Sequence, residues 1–331
     1  MKRLFSALLV LSISIAGRAQ DTPLETARAF QRSGDFDNAV LVLTRAVQAD
    51  KTNLELQKEL AMTLYLKRDY NKALDIVNMM LDHPEVDVPS YQIAGNVYKA
   101  LERAKDADKL YRSALRKFPK SGPLYSEYGE LLWAKKDFNA IDQWEKGIKN
   151  DPAFAGNYYN AALYYYYTKD KTWALVYGEI FVNMESLSER GTAMRGLLLS
   201  AYKEKLFADA DMLADQKKPS EFAKAFLETM GNQSSLANRG LNPELLTMIR
   251  TRFILDWAKT HQAKFPFRLF DYQQQLLREG MFDAYNQWLF GAADNLPAFE
   301  AWARNHPTEY EKFTTFQKGR VFRMPAGQYY Q

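Results

Sequence analysis

The stretch VPSYQIAGNVYKALERAKDADKLYRSALRKFP, Val88–Pro119, decides how the rest of the chain folds. It carries Tyr91, the small pair Ala94-Gly95 and Tyr98 in its first half, then Ala107, Tyr111 and Ala114 in its second half, closed by Pro119. Residues three and four apart share one face of a helix. The pattern therefore predicts two amphipathic helices facing each other. Small residues sit where the helices touch, large ones fill the space beside them, and the proline ends the second helix.

The same unit recurs on both sides. Upstream, TARAFQRSGDFDNAVLVLTRAV carries Ala27, Phe30, a turn at Gly34-Asp35-Phe36, Ala39, Leu43 and Ala46. The next unit, LAMTLYLKRDYNKALDIVNMML, carries Leu60, Ala61, Leu64, Tyr70, Ala73 and Val77. Downstream, Tyr125, Tyr128-Gly129, Leu132, Ala140, Trp144 and Pro152 repeat the pattern with one residue fewer in the inter-helix turn. A fifth copy has Tyr158, Ala161-Ala162, Tyr165 and Ala174, and departs where Gly178 replaces the expected aromatic. This series resembles the tetratricopeptide repeat, a 34-residue helix–turn–helix. The resemblance covers residues 20–184 and implies an all-α, right-handed solenoid of helical hairpins. Such solenoids bind extended peptides or partner helices along a concave face lined by first helices.

Composition agrees with an all-helical chain. Of 331 residues, only 16 are glycine and 12 proline, and no run of β-branched residues bounded by turn signals reads as a strand. Residues 1–19, MKRLFSALLVLSISIAGRA, have the layout of a signal peptide: a basic start, 13 apolar-rich residues from Leu4 to Ala16, and small residues before a cleavage point after Ala19. An uncleaved anchor is the alternative, although the apolar run is shorter than the roughly 20 residues that span a bilayer. Removing Lys2, Arg3 and Arg18 takes the formal net charge from +4 to +1, which withdraws the bulk-charge argument for nucleic acid. The absence of cysteine excludes disulfides, thiolate metal sites and a lipidated amino-terminal cysteine. An exported, periplasmic, outer-membrane-associated or secreted protein with no membrane span in its mature chain is the expectation.

Residues 185–331 read as helical but less regular. GNQSSLANRG (Gly231–Gly240) is the clearest loop, followed by Asn242 as N-cap and Pro243 at the first helical position. MFDAYNQWLFG (Met281–Gly291) echoes DFNAIDQWEKG (Asp137–Gly147), which suggests a degenerate repeat over about 267–291. The aromatic tail 320–331 is too apolar for an ordinary disordered end. It is expected to pack back on the helices, with a docking peptide as the rival reading.

Chemistry is sparse. His83, His261 and His306 are far apart in sequence and form no ligand pair at helical spacing, and no phosphate loop or nucleophile elbow is present. No catalytic residue, metal or cofactor is assigned. The basic run Arg103, Lys105, Lys109, Arg112, Arg116 and Lys117 reads as a solvated helix face, and the acceptor-like Asn232 carries little information.

The resemblance instead directs attention to the groove. The residue after the core position of each first helix gives Gln31, Tyr65, Lys99, Trp133 and Tyr166, with Tyr159 and Tyr167 beside the last. Asn96 and Asn160 fall on the same face, where an amide suits a peptide backbone. In the run Tyr164–Tyr167, Tyr165 is assigned to the core, Tyr164 to the contact with the preceding repeat, and Tyr166 and Tyr167 to the groove. Packing between neighbouring first helices is the competing explanation for these aromatics. A non-enzymatic scaffold or adaptor of the bacterial cell envelope is the leading expectation. A glycan- or peptidoglycan-binding module is the alternative, and a hydrolase in the carboxy-terminal half a weaker third.

Overall fold

A computed structural model describes residues 22–168, 170–208, 211–214, 216, 218–237 and 240–331. The expected signal peptide lies outside them. Two compact units divide the chain, the first ending at Glu102 and the second being Arg103–Gln331.

The first unit comprises α1 (Pro23–Arg32), α2 (Phe36–Ala49), α3 (Leu54–Leu66), α4 (Tyr70–Leu81) and α5 (Val88–Ala100). Each helix packs on the next, and the first helices of successive hairpins, α1, α3 and α5, also pack on one another. Local chemistry marks the starts: Thr22 and Glu25 form a capping box, and Asp35, Asn53 and Asp87 each accept a backbone N–H from the first turn that follows. Ala27, Ala39, Ala61, Ala73 and Ala94 are fully buried at the helix contacts, as the small-residue pattern requires.

The second unit begins with α6 (Ala104–Lys117), α7 (Gly122–Ala134), α8 (Ala140–Asn150), α9 (Ala155–Thr168), α10 (Trp173–Met184) and α11 (Glu189–Ala201). It continues through a π-helical turn at Tyr202–Leu206 into α12 (Glu221–Gly231), α13 (Ser234–Ala237), α14 (Pro243–Thr260) and α15 (Arg268–Arg278). Then come α16 (Phe282–Asn286), a second π-helical turn at Gln287–Gly291, α17 (Ala292–Asp294), α18 (Leu296–Asn305) and α19 (Pro307–Lys318). Among the described residues there is no strand. The protein is an all-α solenoid of consecutive helical hairpins.

The turn inside each hairpin has a fixed device. Gly34, Arg68, Glu102 and Lys136 all have positive φ, at 79°, 66°, 56° and 59°, and occupy the same place in four successive repeats. The residue after the left-handed one returns its N–H five residues back in three of these turns: Asp35 to Phe30, Asp69 to Leu64, Asp137 to Leu132. This closes the helix end in a left-handed cap. Gly280 repeats it between α15 and α16, with φ 69° and Met281 donating to Leu276. The residue missing from the fourth turn falls after Lys136, where the chain makes a further turn before α8 starts four residues on; α4 starts two beyond Arg68.

Gly129 shows why α7 needs a small residue. A Cβ there would overlap the Trp144 ring at Nε1, so the indole of α8 lies directly against the α7 backbone. The segment expected to be the clearest loop instead carries α13, because Ser234 Oγ bonds the Gly231 carbonyl at 2.7 Å and Leu236 is buried. Asn242 and Pro243 open α14 as expected, with the Asn242 side chain accepting from Leu245 N–H.

Candidate functional site

In the first unit, Tyr65 ends α3 half-buried, its ring 5.7 Å from Tyr70 across the hairpin turn. Gln31 is committed to packing: its amide donates to Glu59 (3.0 Å) and Thr63 (2.7 Å) on the next first helix. Asn96 and Lys99 are half-buried on α5, and neither side chain has a partner among the described residues.

In the second unit the aromatic positions separate. Trp133, 38% exposed, closes α7 and meets Phe138 edge-on, Trp144 at 6.1 Å and Tyr164 at 5.5 Å, so it belongs to a cluster at the hairpin corner. Tyr164 thereby meets the preceding hairpin. Tyr159 packs on Phe181 at 4.9 Å and under the Arg190 guanidinium at 5.1 Å. Asn160 donates to Ser126 and Glu130 of α7, so its amide hydrogens are already used. Tyr166 lies under Lys205 Nζ at 5.2 Å, whereas Tyr167 is 68% exposed with its ring edge-on to Tyr166 at 5.5 Å. Of the groove candidates in this unit, Tyr167 keeps the most free aromatic surface.

Tyr165 is buried, and its hydroxyl leads to a feature that the sequence did not announce. It donates to Glu145 at 2.7 Å, and Tyr177 donates to the other carboxylate oxygen at 2.9 Å. A third hydroxyl, that of Tyr329 in the tail, also bonds Glu145. Burial pushes the Glu145 carboxyl up to about 7, although the three phenol hydrogen bonds oppose that rise. The tail is fastened further: Gln331 Nε2 donates to Tyr165 Oη (2.8 Å), Lys149 Nζ lies over the Tyr329 ring (5.7 Å), and Tyr330 stacks on Phe222 (5.2 Å, 11°). Phe322 and Met324 are buried. The aromatic tail therefore packs back on the helices of its own unit.

A second buried cluster ties α10 to the carboxy-terminal helices. Glu179 accepts from Arg250, from Gln273 at 2.5 Å and from Tyr285 at 2.7 Å, and Arg250 also bonds Asn286. Burial works against the Arg250 charge, but Glu179 outweighs it and holds the guanidinium above its usual range. Every member has a hydrogen-bond partner inside the cluster, so this is a structural tie.

The basic stretch is exposed along α6, as expected of a solvated face. Arg112 and Arg116, with Lys146, also border an open cavity of about 410 Å³ between α6 and α8, floored by Tyr125, Tyr128 and Leu132 of α7. The reason is geometric: the second helices of adjacent hairpins flank the intervening first helix and leave a trough above it. Comparing residues one hairpin apart is the signal that finds it.

The histidines are structural. His83 Nε2 donates to the Thr52 carbonyl, His261 packs on Trp257, and His306 stacks on Trp302 while bonding its carbonyl. Among the described residues no group of three or more His, Asp or Glu is placed to hold a metal ion, and no helix is long and apolar enough to cross a membrane.

Hairpins stacked through small residues, with a left-handed cap at the same place in successive repeats, define a helical-repeat solenoid. Residues 31–94 match the family model of the tetratricopeptide repeat, the family that the recurring hairpins resemble. A search of curated proteins finds no match. Among solved structures, the chain is similar to a tetratricopeptide repeat protein from Parabacteroides merdae, with 14% identity over 72% of this chain and 90% of the other, TM-score 0.44. It is similar to a thermophilic repeat protein of Thermus thermophilus, with 18% identity over 54% and 96%, TM-score 0.43. YrrB, described as having an unusual peptide-binding site, aligns with 17% identity over 52% and 89%, TM-score 0.39. None of these likenesses bears on what this chain binds.

Proposed function

We propose that the protein is a non-enzymatic scaffold that holds an extended segment of a partner protein along its first helices, in an exported compartment of the bacterial cell envelope. The observation that carries this reading is the side-chain supply left over from packing. Each unit supplies its own: in the first, the unpartnered Asn96 and Lys99 lie on the first helix α5, and in the second, Tyr167 lies more than two-thirds exposed on the first helix α9. Amides and an ammonium suit a peptide backbone and its carboxylates, and an exposed ring suits an apolar side chain. The export component rests on the basic–apolar–small layout of residues 1–19.

Affinity capture from an envelope extract tests this, using the wild-type chain and the variants Lys99→Ala and Tyr167→Ala. Neither side chain supports the fold, so circular dichroism is expected to stay unchanged while recovery of one specific protein drops. Equal recovery by all three proteins refutes the first-helix reading. Retention on polysaccharide resin, lost in Tyr167→Ala, would transfer the site to a glycan. Localisation follows from fractionating cells that express the full chain; a cytoplasmic product of unshortened mass overturns the export assignment.

A further inference from the structure

The second unit contains two troughs at equivalent places in successive hairpins. One, between α8 and α10, is filled by the chain's own end. The other, between α6 and α8, is the open cavity of about 410 Å³, within the range of about 300–1,000 Å³ usual for ligand sites. Hairpin register makes the equivalence explicit. Arg112 corresponds to Glu145, Arg116 to Lys149 and Leu132 to Tyr165, all at one constant offset along the chain, and Gln143 corresponds to Tyr177 at an offset one residue longer. The later members of these pairs are the residues around Tyr329 and Gln331: Glu145 takes the Tyr329 hydroxyl, Lys149 lies over its ring, and Tyr165 accepts from Gln331. The earlier members all border the open cavity.

The molecule therefore displays how this trough receives an extended, aromatic-bearing segment. It also shows what differs one hairpin earlier. Where the filled trough has Glu145, which accepts from a neutral hydroxyl, the open one has the cation Arg112, so the occupant is asked for an acceptor in place of a donor. Asp108 holds Arg112 at 2.8 Å and also takes the Tyr128 hydroxyl at 3.0 Å, which fixes the guanidinium at the rim. Arg116 and Lys146 are exposed and have no ion-pair partner among the described residues, and Asp137 is the one carboxylate lining the cavity. The Tyr125 and Tyr128 rings beneath provide the apolar floor.

We propose that the α6–α8 cavity is a docking site for an extended acidic segment of a partner protein, seated as Tyr329–Gln331 is seated one hairpin further on. The cation of Arg116 lies over an incoming ring as Lys149 lies over Tyr329, and flanking carboxylates meet Arg112 and Lys146. This site stands on the second helices and is independent of the first-helix face.

The test uses fluorescein-labelled pentapeptides Gly-x-Tyr-x-Gln, with x as Glu, Asp, Gln or Lys, titrated by polarisation against the full chain at low and physiological salt. The Glu and Asp peptides are expected to bind, the Gln peptides to bind about tenfold more weakly, and the acidic ones to weaken as salt rises. Arg116→Glu/Lys146→Glu, at exposed positions, loses the acidic peptides and gains the Lys peptide. Lys149→Glu, at the filled trough, leaves acidic-peptide affinity unchanged. Absence of binding by the acidic peptides, or equal binding of the Gln set, overturns the proposal. So does loss of affinity in Lys149→Glu, which would mean the peptide displaces the tail. Displacement by inorganic phosphate at equal molar concentration marks a simple anion site and overturns it as well.

Discussion

Glu145 sits among three phenols with its carboxyl lifted to about 7, so the folded chain keeps this proton through a range where the unfolded chain has released it. Between the unperturbed carboxyl pKa of 4.5 and about 7, unfolding releases a proton, and stability must fall as pH rises. Above about 7 the penalty is complete and the curve levels. A rise of that size corresponds to about 3 kcal/mol, of which about 2.5 kcal/mol is expressed between pH 5 and pH 8. Glutamine keeps the shape and one acceptor but has no charge to desolvate. The stability of Glu145→Gln relative to wild type is therefore expected to improve by about 2.5 kcal/mol across that interval.

Urea unfolding at stepped pH, followed by tryptophan fluorescence, measures this difference. The groups facing Glu145 are Tyr165 of α9, Tyr177 of α10 and Tyr329 of the tail, with Asp170 adding a repulsive charge. Asp170 is itself raised by burial and slopes the wild-type curve in the same direction. The wild-type profile alone is thus no proof, whereas subtracting the two profiles isolates Glu145. Parallel profiles would refute the reasoning, and so would a Glu145→Gln protein that loses ground to wild type as pH rises.

Gly129→Ala places a methyl against the Trp144 indole and is expected to destabilise by about 1–3 kcal/mol, seen as a lowered urea midpoint; an unchanged midpoint would show that α8 can withdraw. Tyr330→Ala removes the ring stacked on Phe222 and is expected to free the tail, detected as faster tryptic cleavage after Arg320 and Arg323. Arg250→Ala leaves Glu179 charged, buried and without its cation, which costs about 3–5 kcal/mol. The double variant Glu179→Gln/Arg250→Met is expected to recover most of that loss in the same urea assay, and additive losses would deny the pair its coupling.

How legible each part was in the sequence follows from how local its cause is. The hairpins were legible because their causes recur once per repeat: alanines at the helix contacts, an aromatic beside them, a left-handed residue in the turn. Even so, only Gly34 announced that turn; Arg68, Glu102 and Lys136 adopt the same positive φ without a glycine, held there by the cap geometry. The fates of Tyr164 and Tyr165 were also legible, since helical rotation alone assigns them to the preceding hairpin and the core. Tyr159 and Asn160 were not, because what uses them, Arg190 and Phe181 for one and Glu130 for the other, lies in other helices. The cluster joining Glu179 to Arg250, Gln273 and Tyr285 spans up to 106 residues and follows no period, so no pattern of spacing could expose it. Glu145 occupies a middle position. Its register, one residue after the buried Trp144, places it beside the trough, but only the return of Tyr329 from nearly two hundred residues away makes it a buried acid. The same return separates two troughs of like construction into one that is filled and one that is open. A repeat thus fixes where a site is built, and the non-repeating remainder of the chain determines which copy stays open to a partner.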